Sequence, residues 1–476
     1  MDPYTKRYTR SRLNSLEDLL NSVLSTIRPS RSERLKIGRI AARVLATALK
    51  AAKKSGLGVS VEVHGSYAKD TWLAGEADLD LFLMFDPSLS LERGLNEGLK
   101  LARKIARELG AETRECYAAH PYIEAVIEDL IIDIVPAFRV EKANQVRTPV
   151  DRTRLHTVYV LKRLKREQRD EVRLLKRFMK GVGVYGAEVR VMGFSGYLCE
   201  LLVIAYGSFL GVLREAVRWK PYRTVVDIEG HYDRSRIPPK LSGPLIVVDP
   251  VDPERNAAAA VSEETLWRFI AAAKAFLKRP SSSFFFPRHS VPQLEDLVRA
   301  IEKRGTYIFA LIFPRPNYPE DAVWGQLRKS ERGLRKFFER IGIEVYGITS
   351  WLCGEHAVIL VEVPNAELPS VELHKGPPVC SEHEDRFISK YLSGSDTVAG
   401  PFLREGRWYV LRRRRFTRVV DILVSRISEV GLAAAIRKAV SKDLRVLEGK
   451  EVIFACDDEK YRIFLWKWLA RRENWL

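Results

Sequence analysis

Glutamine is nearly missing from this chain of 476 residues: only Gln145, Gln168, Gln293 and Gln326 occur. A shortage of thermolabile side chains on a charged background fits a heat-adapted composition. Cysteine is also sparse. Cys116, Cys199, Cys353, Cys380 and Cys456 lie far apart with no CxxC pair, which excludes a zinc ribbon or a dense disulfide framework and predicts reduced, half-buried thiols. No apolar run reaches the roughly 18–20 residues of a membrane span. The nearest, Leu201–Val212, is short and broken by Tyr206, Gly207 and Ser208. The opening stretch MDPYTKRYTRSR has no apolar signal core, so the expectation is a cytoplasmic protein with no membrane partner. Internal repeats and long low-complexity segments are absent too.

What the chain does have is charge of one sign. Lys and Arg number 79 against 61 Asp and Glu, a formal net charge of +18. Such a field suits a polyanion, with nucleic acid the leading partner, although solubility and heat adaptation would leave the same mark. A 46% hydrophobic fraction supports a sizeable core, and the length suggests roughly two to four domains of about 150 residues.

Ser30-Arg31-Ser32-Glu33 has the form of a capping box and opens a helical pattern to about Lys53. Val59–His64 alternates as a strand does, and Leu79–Phe85 is apolar almost throughout, as a strand buried on both faces would be. Helical periodicity covers Leu91–Leu109. Tyr122–Ile127 and Leu130–Val135 predict two more strands joined by a tight turn at Glu128-Asp129. Arg152–Glu171 is charged and expected at the surface. Val172–Met179, Gly196–Gly207 and Glu263–Leu277 read as helices, the second as core. KRPSSSFFFPRH, Lys278–His289, is the clearest boundary. Beyond it, Thr306–Phe313, Glu344–Thr349 and Val358–Val363 read as strands and Asp321–Ile341 as a helix, an α/β or α+β region.

The chemistry concentrates in HGSYAKDTWLAGEADLDLFLMF, His64–Phe85. Side chains two apart on a strand share a face, so Asp78 and Asp80 project together. Two half-buried carboxylates cannot both ionise cheaply, and a hard divalent cation removes the conflict. Asp133, in the apolar run DLIIDIVPAF, is a third candidate because an acid among Ile and Val needs a partner. Three carboxylates around metal beside a triphosphate make a two-metal phosphoryl-transfer site, one ion serving the hydroxyl nucleophile and the other the pyrophosphate. Gly65-Ser66 completes the pattern: glycine lets backbone approach phosphate, and the Ser hydroxyl and following amides bind its oxygens. Otherwise, Asp78 is a solvated strand start and Asp80 a cap.

The stretch GSYAKDTWLAGEADLDLFLMF closely resembles the GS…DxD signature of the nucleotidyltransferase superfamily related to DNA polymerase β. Within that superfamily it is most similar to the archaeal, class I CCA-adding enzymes, which are tRNA nucleotidyltransferases. The likeness continues through DIVPAF, TPVDRTRLHTVYV, EVRLLKRFMKGVGVYGAE, GFSGYLCELLVIAYGSF, VVDPVDPERNAAAAVS and HKGPPV, most of the chain. One departure is that DRTPxH, common in the family, stands here as Asp151-Arg152-Thr153-Arg154-Leu155-His156.

The resemblance implies an α+β multidomain fold. Its parts would be a polymerase-β-like nucleotidyltransferase head with a mostly antiparallel or mixed sheet over 1–140, a helical neck that recognises nucleotide over 141–278, and an RNA-binding α/β body and tail over 279–476. It implies Mg²⁺ on Asp78, Asp80 and Asp133, with Asp133 the better choice for the proton of the RNA 3′-hydroxyl. Gly65, Ser66, His156, Lys176 and Tyr185 would contact the triphosphate, and Arg255 would select the base. From the residues alone, Lys176 reads equally as a solvated helix charge, Tyr185 as a packed loop ring, and Arg255 as a partner of Asp252 or Glu254. Asp249 and Asp252 read as loop caps between prolines, and Gly193–Phe209 as structure without chemistry.

Toward the C-terminus, HKGPPV reads as a rigid turn starting at His374. RWYVLRRRRFTRVV brings Arg412, Arg413, Arg414 and Arg415 among aromatics, a pattern for RNA contacts or for an edge strand with exposed arginines. KYRIFLWKWLARRENWL predicts an amphipathic helix whose Trp residues pack in a core. The implied activity is template-independent addition of C, C and A to the acceptor end of tRNA from CTP and ATP, with a homodimer suggested by the family. The rivals are a poly(A) polymerase, a small-molecule nucleotidyltransferase, or an RNA-binding protein that keeps the scaffold without catalysis.

Overall fold

In the computed structural model, which describes residues 10–117, 120–233, 237–287 and 291–476, the chain divides into two compact units. One runs from Met1 to Arg288 and takes in Glu473–Leu476; the other is His289–Arg472. The stretch 1–9 and the end of the Lys278–His289 boundary lie outside the described residues.

Apolar spacing and caps set the first half of the first unit. After helix α1 (Arg10–Ile27), Ser30 caps α2 (Arg31–Ser55), its hydroxyl accepting from the Glu33 N–H. Only half of the expected box forms, because the Glu33 carboxylate instead accepts from the Gly75 N–H at 2.7 Å. Strand β1 (Ser60–His64) leads directly into a short helix α3 (Gly65–Lys69), then β2 (Asp78–Phe85), α4 (Leu91–Leu109), β3 (Glu112–Tyr117), β4 (Pro121–Ile127) and β5 (Leu130–Phe138). Glu128 and Asp129 both take positive φ, 48° and 67°, as a tight hairpin turn requires. The sheet order is β1-β2-β5-β4-β3, with β2 and β5 parallel and every other pair antiparallel. Leu79, Leu81, Leu83, Ile132 and Ile134 face α2 and α4, packing on Ile40, Val44, Ala102 and Ile105. A side chain at Gly94 would strike the Phe138 ring at 2.4 Å, so glycine is what lets α4 lie this close. On the opposite face Phe82, Met84, Val135 and Ala137 form a second, smaller cluster, which is why β2 is apolar almost throughout.

The second half of this unit is mainly helical: α5 (Arg152–Arg163), α6 (Gln168–Gly181), α7 (Gly196–Tyr206), α8 (Phe209–Ala216) and α9 (Glu263–Lys278). It also holds a small sheet of β6 (Val225–Val226), β7 (Ile246–Asp249) and β8 (Asp252–Asn256). Phe178 sits among Phe209, Phe276, Phe284 and Phe285, with ring centroids 5.4–5.8 Å apart, so part of the FFF boundary cluster is core. The Arg152–Glu171 stretch, expected at the surface, is largely helical, and Thr157 and Val160 are buried. Among the described residues no single helix is long and apolar enough to cross a membrane; the Leu201–Val212 run is split between α7 and α8, which meet at 89°.

The second unit contains α10 (Leu294–Glu302), β9 (Tyr307–Pro314), α11 (Glu320–Arg340), β10 (Gly347–Cys353), β11 (His356–Val363), β12 (Val371–Pro378), α12 (Glu384–Leu392), β13 (Thr397–Arg404), β14 (Arg407–Arg413), α13 (Val419–Ser425), α14 (Ala434–Lys442), β15 (Arg445–Glu448) and α15 (Glu459–Ala470). Its sheets, β10-β11-β9-β15 and β12-β14-β13, are antiparallel throughout, which makes the region α+β. Three expectations change here. HKGPPV is no turn but the end of β12, with a bulge between Lys375 and Pro378 where the prolines need not donate to the ladder. RWYVLRR is the middle strand of its sheet, not an edge. Cys353 and Cys456 are joined in a disulfide rather than reduced, because the end of β10 and the turn before α15 meet in one apolar cluster. Cys199 is fully buried and Cys380 exposed. The last helix buries Tyr461, Leu465 and Leu469, with Trp466 and Trp468 half-buried against the same core.

Candidate active site

Strand register assembles the acidic face. His64 on β1 stands opposite Asp80 on β2, Asp80 beside Asp133 on β5, Asp133 opposite Glu124 on β4, and Glu124 opposite Arg114 on β3. One row of ionisable residues therefore crosses all five strands, with Asp78 two residues before Asp80 at the exposed start of β2. Burial first, and Asp78 second, push the Asp80 carboxyl up to about 6, with Lys69 opposing. Burial, then Asp80 and Glu124, push Asp133 up to about 7. Burial dominates at His64, holding its imidazole down at about 4. Oδ1 of Asp133 is buried with no hydrogen-bond partner in the protein.

These residues fit a divalent cation. The carboxylates are neighbours in register, their ionised forms are penalised, and one oxygen is left without a donor. Among the described residues no three acidic, His or Cys groups close into a complete cage, so an ion here would complete its shell with phosphate and water oxygens, as Mg²⁺ habitually does.

Gly65 turns the chain from β1 into α3 with φ of 69°, and a Cβ there would lie 1.6 Å from Asp80 Oδ2. Only glycine permits that approach. Gly65→Ala should therefore lower single-turnover incorporation roughly 100-fold, since displacing a reacting group by about 1 Å costs on that order. A wild-type rate in this variant would remove Asp80 from the chemistry. Helix α3, which carries Ser66, is fastened at its other end. Asp70 caps it with φ of 53° and pairs with Arg34 at 2.8 Å, Arg173 at 2.5 Å and Arg169 at 3.2 Å.

Behind α3 lies a charged core that sequence reading does not anticipate. Glu200 on α7 is fully buried and accepts from Lys69 Nζ at 2.5 Å and Thr71 Oγ1 at 2.6 Å. Lys176 on α6 is buried as well; its ammonium donates to the Thr71 carbonyl at 3.0 Å and lies 3.9 Å from Glu200. It is not a solvated helix charge. A Cβ at Gly196 would lie 3.1 Å from the Tyr185 hydroxyl and 3.5 Å from Lys176 Nζ, so that glycine keeps open the place where both donors meet. Burial pushes the Tyr185 phenol up, and the Lys180 ammonium stands over its ring at 5.0 Å.

His156 on α5 stacks on Tyr197 with ring centroids 3.9 Å apart, and its Nε2 meets Asp249 Oδ2 at 2.9 Å. Burial holds the imidazole below its ordinary range, and a carboxylate can only accept, so a neutral ring donates through Nε2–H. Arg255 pairs with Asp249 at 2.7 Å, not with Asp252, which binds Arg152 at 2.8 Å, nor with Glu254, which pairs with Lys240. Burial would raise Asp249, but these donors hold it at about 2.

The remaining candidates belong to the second unit. His374 packs beside Phe387 and Tyr391, half-buried. Arg412 and Arg414 both pair with Glu372, at 2.7 and 2.8 Å, and only Arg413 and Arg415 of the run are exposed.

Three family models match successive parts of the chain: "Nucleotidyltransferase domain" over 45–156, "tRNA nucleotidyltransferase, second domain" over 170–286, and "CCA-adding enzyme, C-terminal domain" over 304–449. A CCA-adding enzyme of Pyrobaculum islandicum is 39% identical, over 86% of this chain and 93% of its own length. Those of Methanoregula boonei and Methanosarcina barkeri are 37% and 35% identical, covering 97% and 95% of this chain and 96% and 98% of theirs.

Proposed function

Because the chain belongs to the CCA-adding enzyme family, we propose that the acidic row of its head is the place where tRNA ends are extended. The protein is a tRNA nucleotidyltransferase that adds C, C and A to the tRNA 3′ end without a nucleic-acid template. The observation that carries the site assignment is the register of Asp80 against Asp133 beside a glycine that no other residue could replace.

Asp78, Asp80 and Asp133 would hold Mg²⁺, the hard cation suited to carboxylate and phosphate oxygens. The chemistry supplied when the ion is bound is polarisation of the acceptor hydroxyl and neutralisation of charge on the leaving pyrophosphate. Asp133 Oδ1, lacking a partner in the protein, takes the proton of the RNA 3′-hydroxyl. The 3′-oxygen then forms its bond to the α-phosphorus of CTP or ATP as the α–β phosphoanhydride breaks. Gly65 lets the backbone approach the triphosphate, and Ser66 offers it a hydroxyl. Lys176 and Tyr185 flank it with donors, while His156, whose Nε2–H is held by Asp249, lines the pocket as a neutral ring. Arg255 presents its guanidinium fork to the base edge. Arg413 and Arg415, with their neighbours Arg412, Arg414 and His374, give the second unit a basic surface for tRNA backbone. We place the activity in the cytoplasm and in a homodimer, the second read by light scattering of the purified chain.

The test is the product formed on tRNA lacking its CCA end. Two C residues and one A, added stepwise and then stopped, are expected. Long A tails would make the enzyme a poly(A) polymerase, and no incorporation would leave an RNA-binding scaffold.

A further inference from the structure

Asp249 closes β7 between the core and Pro250, and none of its surface is exposed. A carboxylate offers about four acceptor positions, and all four are filled. Oδ1 accepts from the Tyr197 hydroxyl at 3.0 Å and the Val251 N–H at 3.1 Å. Oδ2 accepts from Arg255 at 2.7 Å and from His156 Nε2 at 2.9 Å. Three of these donors come from three separate elements, α5, α7 and β8, and two of them stack on each other. A carboxylate so saturated has no capacity left for an ion or a substrate atom. Whatever Asp249 does, it does through the groups it holds.

Those groups differ in freedom. His156 and Tyr197 are mostly buried, whereas 37% of the Arg255 side chain is exposed, and one of its five N–H donors is engaged by Asp249. An exposed arginine without an anchor samples many rotamers and can satisfy more than one base edge. A guanidinium fixed at one end presents the rest of its fork in a single orientation, and a site preset in this way rejects a base that leaves its donors unpaired.

We propose that Asp249 is a positioning residue for nucleotide selection, fixing Arg255 on the carboxylate that also holds His156 and Tyr197, so that the pocket accepts C and then A and excludes U. The inference rests on Arg255 contacting the base, as proposed above. Asp249→Asn keeps the volume but turns one acceptor oxygen into a donor facing donors. On tRNA lacking CCA, the ratio of kcat/KM for CTP over UTP should fall roughly tenfold or more, the scale of one lost charge-assisted hydrogen bond. The kcat with CTP should fall less than that ratio does. Equal loss with CTP and UTP, the ratio unchanged, would overturn the proposal.

Tyr197→Phe removes one donor and no charge, and it answers the question if Asp249→Asn fails to melt cooperatively by circular dichroism. It should lower the same ratio by a smaller factor, and a wild-type ratio there would count against the proposal. Arg255→Ala separates the two levels of the argument. If it leaves the ratio at the wild-type value, the base-contact reading of Arg255 fails. If it disturbs the ratio while Asp249→Asn and Tyr197→Phe do not, the positioning role of Asp249 alone fails.

Discussion

Asp80→Asn should abolish nucleotide addition, by roughly 10³-fold or more, the scale of several kcal/mol of metal-mediated charge stabilisation, while tRNA affinity stays within about tenfold of wild type. The substitution keeps shape and removes charge, so loss of activity without loss of tRNA points to the chemistry and not the fold. The metal-free protein supplies a second readout. The carboxyls of Asp80 and Asp133 sit near 6 and 7, above the ordinary carboxylate range. A carboxyl whose folded pKa is raised contributes stability that is complete below its unfolded pKa and is lost as pH rises through the folded one. Between about pH 4 and 7 the wild-type melting temperature should therefore lose this contribution as the pH rises. Mg²⁺ should restore it more at pH 8 than at pH 5.5, because it binds only the ionised pair. In Asp80→Asn the restoration should shrink. Calorimetry across that pH range reads both effects, and a Mg²⁺ response independent of pH would contradict the assignment.

The head was legible because its signals are local. Strands β2 and β5 are apolar runs interrupted by single acids, and an acid in such a run costs too much to be there without a partner. Strand β3 was missed because ETRECY is polar and mostly exposed, and such a strand has no periodicity to read. Its absence hid Arg114, and with it the full row across the sheet. The rule that singled out Asp133 applies equally to Glu200, a lone acid in LCELLVIAY. Small and apolar residues dominate the pattern of that helix, so by sequence it reads as structure. Arg255 shows the opposite limit: its nearest acids in sequence are Asp252 and Glu254, yet the one it binds is Asp249, a choice made by β7 pairing with β8. Partner choice over such pairings, and the Cys353–Cys456 link across 103 residues, depend on tertiary contacts that spacing does not encode.

Glu200→Gln should be the most destabilising single change in the first unit. The wild-type carboxylate is fully buried between two ammonium groups, Lys69 at 2.5 Å and Lys176 at 3.9 Å. Burial alone would raise its pKa, but Lys69 and Lys176 hold it below the ordinary value. Its contribution is thus present above about pH 4.5 and is lost as pH falls through the depressed folded pKa. Removing one partner of a buried pair leaves uncompensated charge and costs about 3–5 kcal/mol. At about 2–4 °C per kcal/mol for domains of some 200 residues, the melting temperature should fall on the order of 10 °C at pH 7. The loss should diminish toward acid, where the wild-type carboxylate is neutralised too. The double variant Lys69→Met, Glu200→Gln should recover part of it, because charge is then removed from both sides. Additive losses in the double variant would mean that the two residues act separately. The same carboxylate bears on the proposed triphosphate site: burial pushes the Lys176 ammonium below its ordinary range, and Glu200 is the first group that opposes that shift.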